Sequence, residues 1–300
     1  MARDSRAPDG RHLIIYGKPP TELHQRRKWD ARNELRSFTA LHAQRSCGGY
    51  LYAELKEVTL DNGYTYEKGI GRCKVTNSCP WCSPRVYAAK RARLNDAARE
   101  AHALGGSLIV ATLTLPSRYG QPLSVGYTNL WKVRARFRRK LKLLEQGMGI
   151  AMGACVVEET FRAQRRWHAH FHWLWFLPND WSADHTSEFE TKVKALWIQA
   201  GMREGVETPR AEAQSFSHAL TLPEMEKSIR YVTKHGYYPS SRPRIQFIES
   251  HASLKPFEVL ELARTGESQY VFAYNEFEVT NKGRSRIQFY GFPSVGPTHS

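Results

Sequence analysis

Three histidines fall at alternate positions, His168, His170 and His172, and run straight into the apolar segment Trp173-Leu174-Trp175-Phe176-Leu177. Successive side chains of a β-strand point to opposite faces. The three imidazoles therefore share a face with Leu174 and Phe176, while Trp167, Phe171, Trp173 and Trp175 line the other. Burying unpaired polar groups is costly, so a row of imidazoles on a strand this apolar needs partners. A metal ion is the simplest partner for converging histidines.

A second strand-like run, residues 151–161, ends in Glu158 and Glu159 and is joined to the histidine run by the short connection Arg162-Ala163-Gln164-Arg165-Arg166. Such a connection predicts an antiparallel hairpin, which places one of the two carboxylates on the histidine face. Two imidazoles and a carboxylate around a divalent ion leave coordination positions open to a phosphate oxygen, where the ion acts as a Lewis acid. A tyrosine can attack phosphorus and keep the bond energy in a covalent link. A lysine one helical turn away stabilises the phenolate or the developing charge. Tyr231 and Lys234 are three apart in a run read as a helix over 223–235, and so lie on one helix face.

The cysteines suggest a second metal. Cys47, Cys73 and the tight Cys79-Pro80-Trp81-Cys82 turn can supply the four thiolates of a tetrahedral structural zinc site. Free core or surface thiols are the other reading. A thioredoxin-like redox site is disfavoured, because Ser83-Pro84 follow the CxxC at once. Cys155, alone in an apolar stretch, reads as a buried core thiol.

Around these groups the pattern predicts helices over 21–43, 85–104, 127–146, 182–200 and 257–263, besides that at 223–235. Ser182 reads as an N-cap, and Gly201 and Gly236 read as stops for their helices. Strands are expected over 107–115, 151–161 and 167–177, with a short one over 212–217. A C-terminal hairpin is expected from 269–279 and 286–291, turning at Asn281-Lys282-Gly283. The expected class is α+β. The expected partition is a basic N-terminal region with the cysteine element over 1–105 and a catalytic domain over 106–300.

Lys and Arg outnumber Asp and Glu by 44 to 29, a net charge of +15, which favours an anionic polymer, nucleic acid first. Arg26, Arg27, Lys28, Arg32 and Arg36 lie on the first predicted helix and serve either as a solvated surface or as DNA contacts. No run approaches the roughly 18 apolar residues of a membrane span. Residues 1–10 are polar, unlike a secretory signal, and the expected compartment is the cytoplasm, where thiols stay reduced.

The combined pattern resembles the HUH endonucleases, in particular the single-tyrosine rolling-circle replication initiators (Rep proteins) of plasmids and phages. The resemblance is carried by Cys47-Gly48, Cys73-Lys74, Cys79-Pro80-Trp81-Cys82, Thr112-Leu113-Thr114-Leu115, Glu158 with Thr160, Trp167-His168-Ala169-His170-Phe171-His172, and Tyr231 with Lys234. It implies an HUH/RRM-like antiparallel sheet flanked by helices. It implies His170 and His172 as ligands of Mg²⁺ or Mn²⁺, with Glu158 as the strand acid, Glu159 as the fallback, and His168 as third ligand or a close neighbour. Tyr231 would nick one DNA strand, keep the 5′ phosphate and leave a 3′ hydroxyl for a polymerase. Some relatives place a glutamate one turn before the tyrosine to activate a terminating water. Here that place holds Lys227, so either Glu226 or Glu224 does that job or termination takes another route. The chain has no Gly-x-x-x-x-Gly-Lys-Ser/Thr loop, so unwinding would fall to a host helicase.

The expected partners are single-stranded and origin duplex DNA. A transposase or relaxase of the same chemistry is the close variant. A non-catalytic zinc-containing nucleic-acid-binding protein is the alternative from another class.

Overall fold

The histidine run becomes the middle strand of a five-stranded antiparallel sheet in the computed structural model, which describes residues 5–6, 12–13, 23–49, 51–59, 65–179, 181–234 and 253–292. The N-terminal elements are a two-residue pair, β1 (Ser5–Arg6) and β2 (His12–Leu13), then α1 (Leu23–Phe38), α2 (His42–Arg45) and a hairpin of β3 (Leu51–Thr59) and β4 (Thr65–Ile70). After α3 (Ser83–Ala103) come β5 (Ser107–Thr114), α4 (Leu123–Gly147), β6 (Met152–Arg162), β7 (Arg166–Leu177), α5 (Ala183–Arg203) and β8 (Ser215–Ala219). The chain then continues through α6 (Leu222–Val232), α7 (Pro256–Ala263), α8 (Ser268–Asn281) and β9 (Ile287–Tyr290).

The strand order is β8-β5-β7-β6-β9. The expected hairpin is present: β6 and β7 pair from Arg162↔Arg166 to Met152↔Phe176. Period-2 alternation divides the aromatic residues of β7 as the sequence predicts. Phe171, Trp173 and Trp175 pack with α4 and α5, through Val133, Phe137, Val193 and Trp197 among others, and Trp167 stacks on Phe277 of α8 and donates to the Ala273 carbonyl. Leu174 and Phe176 face the other way, beneath α3 and α6, where Leu94, Ala98, Met225 and Ile229 cover them.

That second face is split along its length. Leu108, Val110, Ala154, Val156 and Leu174 are buried under the two helices. One register step further, the same strands present Thr112 opposite His172, Thr114 opposite His170, and Glu158 opposite His170 from the other side. Apolar side chains of α3 and α6 cover the first half, and the polar half holds the candidate site.

Two expectations at the C-terminus are corrected. Residues 269–279 are not a strand but most of α8, because Tyr270, Ala273, Tyr274 and Phe277 are buried at the i, i+3, i+4, i+7 spacing of a helix. Among the described residues the expected C-terminal hairpin is therefore absent, and β9 instead pairs with the edge of β6, Gly153↔Tyr290 to Val156↔Ile287.

Gly201 does not end its helix. It is buried within α5, where an added Cβ would lie 2.7 Å from the ring of Pro209, and Gly205 at φ +66° follows the true end. The β3–β4 hairpin was not anticipated, although Asn62-Gly63 is a hairpin-turn signal. Gly236, expected to stop α6, lies outside the described residues.

Candidate functional site

Each ligand-type side chain of the site projects from a paired strand, which fixes its direction. Glu158 Oε2 lies 2.7 Å from His172 Nε2 and 3.3 Å from His170 Nε2. Two ligands about 2.1 Å from one ion stand about 3 Å apart, so these separations fit a shared ion. Glu158, His170 and His172 can together hold a metal. Burial pushes the His172 imidazole below its ordinary range, against the pull of its hydrogen bond to Glu158, which keeps a ring lone pair available for coordination. Its other nitrogen, Nδ1, is 3.1 Å from the Thr112 hydroxyl.

The register decides between the two carboxylates. Glu159 points to the opposite face and is fully buried, where it accepts hydrogen bonds from Tyr127 and the Arg286 guanidinium. Burial pushes its carboxyl above the ordinary range, with Arg286 working against that. Glu159 is a structural ion-pair partner beneath the strand, one peptide from the site.

His168 is on the histidine face but is not among the clustered ligands. Its Nε2 lies 2.8 Å from Thr114 Oγ1 and its Nδ1 3.2 Å from Ser117 Oγ, so both nitrogens already have protein partners. Its ring stacks on His170 at 5.8 Å and 23°. Burial first, and His170 second, lower its pKa to about 4, so it is neutral at physiological pH.

The structure brings Tyr231 and Lys234 to this group. Lys234 Nζ is 3.3 Å from Glu158 Oε1 and 3.4 Å from the centre of the Tyr231 ring. The Tyr231 ring meets His172 edge-on at 5.7 Å and remains 56% exposed, open to a large substrate. The amphipathic side of α6, with Met225, Ile229 and Val232 buried on the sheet, sets this position. Thr221 caps α6 in a capping box with Glu224, whose carboxylate accepts the Leu220 and Thr221 N–H groups. Glu226 pairs with Arg99 at 3.0 Å. Both glutamates named as candidates for a water activator are thus engaged in structural contacts. Tyr237 and Tyr238, the alternative nucleophiles, lie outside the described residues.

The four cysteines converge as expected. Cys47 precedes β3 and Cys73 follows β4, so pairing of Leu51 with Ile70 closes the distance between them. Cys79 and Cys82 arrive on the turn before α3. Cys47 Sγ lies 3.5 Å from Cys79 Sγ and 3.6 Å from Cys82 Sγ, and Cys73 Sγ lies 3.7 Å from Cys82 Sγ. A tetrahedron with Zn–S bonds of about 2.3 Å has edges of about 3.8 Å. The set fits a structural metal such as zinc. Hydrogen bonds from the three neighbouring thiols hold Cys82 well below the ordinary thiol range, whereas burial pushes Cys79 up. Cys155 is buried in the sheet core, where burial raises it to about 12.

Two arginines of the basic first helix turn out to serve this knuckle. Arg32 is buried and donates to the Gly48 carbonyl at 3.1 Å, and Arg36 donates to the Cys47 carbonyl at 2.8 Å. Their spacing on one helix face was the available signal. Thr112 and Thr114 were also missed as site residues, although their alternation on β5 mirrors that of the histidines.

No protein-family model, curated protein or solved structure matches this chain. No described helix is long and apolar enough to cross a membrane.

Proposed function

We propose that the chain is a metal-dependent enzyme that nicks and rejoins single-stranded DNA and initiates rolling-circle replication, with Tyr231 as nucleophile. One observation carries the reading. A single buried carboxylate, Glu158, meets His170 and His172 with one oxygen and Lys234 with the other, and the same Lys234 lies over the ring of the exposed Tyr231. A protein that only binds nucleic acid has no use for a hydroxyl nucleophile and an ammonium beside a ligand triad. The alternation of elements from β5 to β8, strand-helix-strand-strand-helix-strand with spatial order β8-β5-β7-β6, supports the HUH/RRM-like fold.

In this reading the Tyr231 oxygen gives its proton to solvent and forms a bond to phosphorus while the bond from phosphorus to the 3′ oxygen breaks, and the departing 3′ oxygen takes up a proton from solvent. The 5′ phosphate stays on Tyr231, so a later attack by a 3′ hydroxyl reverses the step and joins strands. The Lys234 ammonium, 3.4 Å from the centre of the Tyr231 ring, is placed to offset the charge that grows during the transfer. Mg²⁺ or Mn²⁺ held by Glu158, His170 and His172 would supply Lewis-acid polarisation of a phosphate oxygen. Zinc at the four cysteines is structural. The +15 charge suits a polyphosphate substrate.

The test is incubation with single-stranded DNA carrying the replicon's own origin hairpin, in the presence of Mn²⁺ or Mg²⁺. The expected product is a covalent protein–DNA adduct, absent in Tyr231→Phe and abolished by chelator. An adduct that persists in Tyr231→Phe transfers the nucleophile to Tyr237 or Tyr238. Absence of an adduct with all origin-derived strands overturns the reading.

A further inference from the structure

Beside the candidate site, past His168, the loop after β5 and the turn after α5 enclose a cleft of about 460 Å³ that the chemistry above does not use. It borders the site directly, because His168 lines it and stacks on the ligand His170. Pockets of a few hundred cubic ångströms take ligands of nucleotide size. The walls combine apolar Leu115 and Val206 with the polar ends of Gln121 and Asn129. At the rim Tyr119 is 80% exposed, unusual for so large a ring, and Arg118 stands next to it.

An exposed aromatic ring is a stacking platform for an unpaired base, and an adjacent arginine suits a backbone phosphate. Amide side chains that both donate and accept suit a base edge. We infer that this cleft seats one unpaired base of the single strand next to the phosphate that a metal at Glu158, His170 and His172 would polarise, with the base stacked on Tyr119. Because the adjoining site is taken to act on single-stranded DNA, the cleft deepens that reading. It makes the β5–α4 loop the element that selects the nucleotide flanking the nick.

The probe is a thymine homopolymer oligonucleotide substituted with iodouracil, which photocrosslinks to aromatic side chains in stacking contact. The full chain is first assayed for binding to it by fluorescence anisotropy and, separately, for the Tyr231 adduct with origin DNA. The expected crosslink maps to the peptide containing Tyr119. Tyr119→Ala should bind about tenfold more weakly, the loss of one base–aromatic stack, and Tyr119→Phe should bind like the unaltered chain. Since the ring is exposed, neither change threatens the fold.

Crosslinks confined to other peptides, together with undiminished binding by Tyr119→Ala, overturn the cleft assignment while leaving the Tyr231 reading in place if the adduct forms. Failure of the unaltered chain to bind the oligonucleotide, together with absence of the adduct, removes both.

Discussion

Thr112 and His172 are directly opposed on β5 and β7, and the threonine hydroxyl lies 3.1 Å from the imidazole Nδ1. The other ring nitrogen faces Glu158 at 2.7 Å. A histidine that coordinates through Nε2 must carry its proton on Nδ1, and Thr112 is placed to accept it. When Nε2 coordinates, the hydroxyl can take that proton, and at 3.1 Å it holds the ring angle of a proposed ligand.

Thr112→Val keeps the shape of the side chain and removes the acceptor. Loss of such a partner costs about 10- to 100-fold in metal affinity. Titration of the chain with Mn²⁺ should show that loss, and excess Mn²⁺ should restore adduct formation. His168→Gln is the contrast. Since Thr114 and Ser117 occupy both of its nitrogens, Mn²⁺ affinity should change little. Comparable losses in the two variants would place His168 among the ligands.

Lys234 has two neighbours and so two separable effects. Lys234→Met removes the ammonium from the Tyr231 ring, and adduct formation should slow by about 100-fold, the typical effect of removing one charge-stabilising group. The same ammonium competes with a cation for Glu158, which it approaches at 3.3 Å. Mn²⁺ should therefore bind the variant at least as tightly as it binds the unaltered chain. A parallel loss of Mn²⁺ binding and rate would make Lys234 a support for the carboxylate rather than for the phenol.

What the sequence made legible follows its short-range geometry. Alternation alone put the imidazoles on one face and the tryptophans on the other, because a strand's period is a backbone property. The hairpin between Glu158 and His170 was legible because only five residues connect the two runs. The pattern alone left Glu158 and Glu159 open and only the resemblance favoured Glu158, since the choice depends on a one-residue register that the pairing Glu158↔His170 defines.

Thr112 was out of reach as a partner of His172 because the two are 60 residues apart in sequence. The misreading of 269–279 has a different cause. Tyr270, Phe272 and Tyr274 satisfy a period of two, while Tyr270, Ala273, Tyr274 and Phe277 satisfy a helical one. Packing against α7, not local preference, settles it.

The cysteine knuckle should hold about one zinc per chain, measured by metal analysis, and Cys79→Ser with Cys82→Ser should lose it. The arginines of α1 make a finer case. Arg32 is buried, donates to the Gly48 carbonyl and lies 5.4 Å from the Trp81 ring centre. Arg32→Ala should destabilise the chain by about 2–3 kcal/mol through an unpaired buried carbonyl and lost packing, and zinc should leave it faster on chelator challenge. Unchanged chelation kinetics would mean that the knuckle holds its metal without help from α1.

Glu278 gives a stability with a defined pH dependence. This carboxylate on α8 is fully buried and accepts hydrogen bonds from Thr39 Oγ1 at 2.9 Å, Ala40 N–H at 3.0 Å and Gln44 Nε2 at 2.8 Å. It thereby ties the segment leading to Cys47 to α8. Burial, against the pull of those hydrogen bonds, raises its pKa from the ordinary 4.5 to about 7. Between those values the folded chain holds a proton that the unfolded chain releases, so stability from this group is full below pH 4.5 and is lost as pH rises through 7. The span corresponds to about 3 kcal/mol. Denaturant unfolding of the unaltered chain and of Glu278→Gln, compared at several pH values, cancels the other titrations. The difference should move by that amount in favour of Glu278→Gln as pH rises from 4.5 to 7. A difference that stays flat across the window would show that the buried carboxyl is ionised throughout.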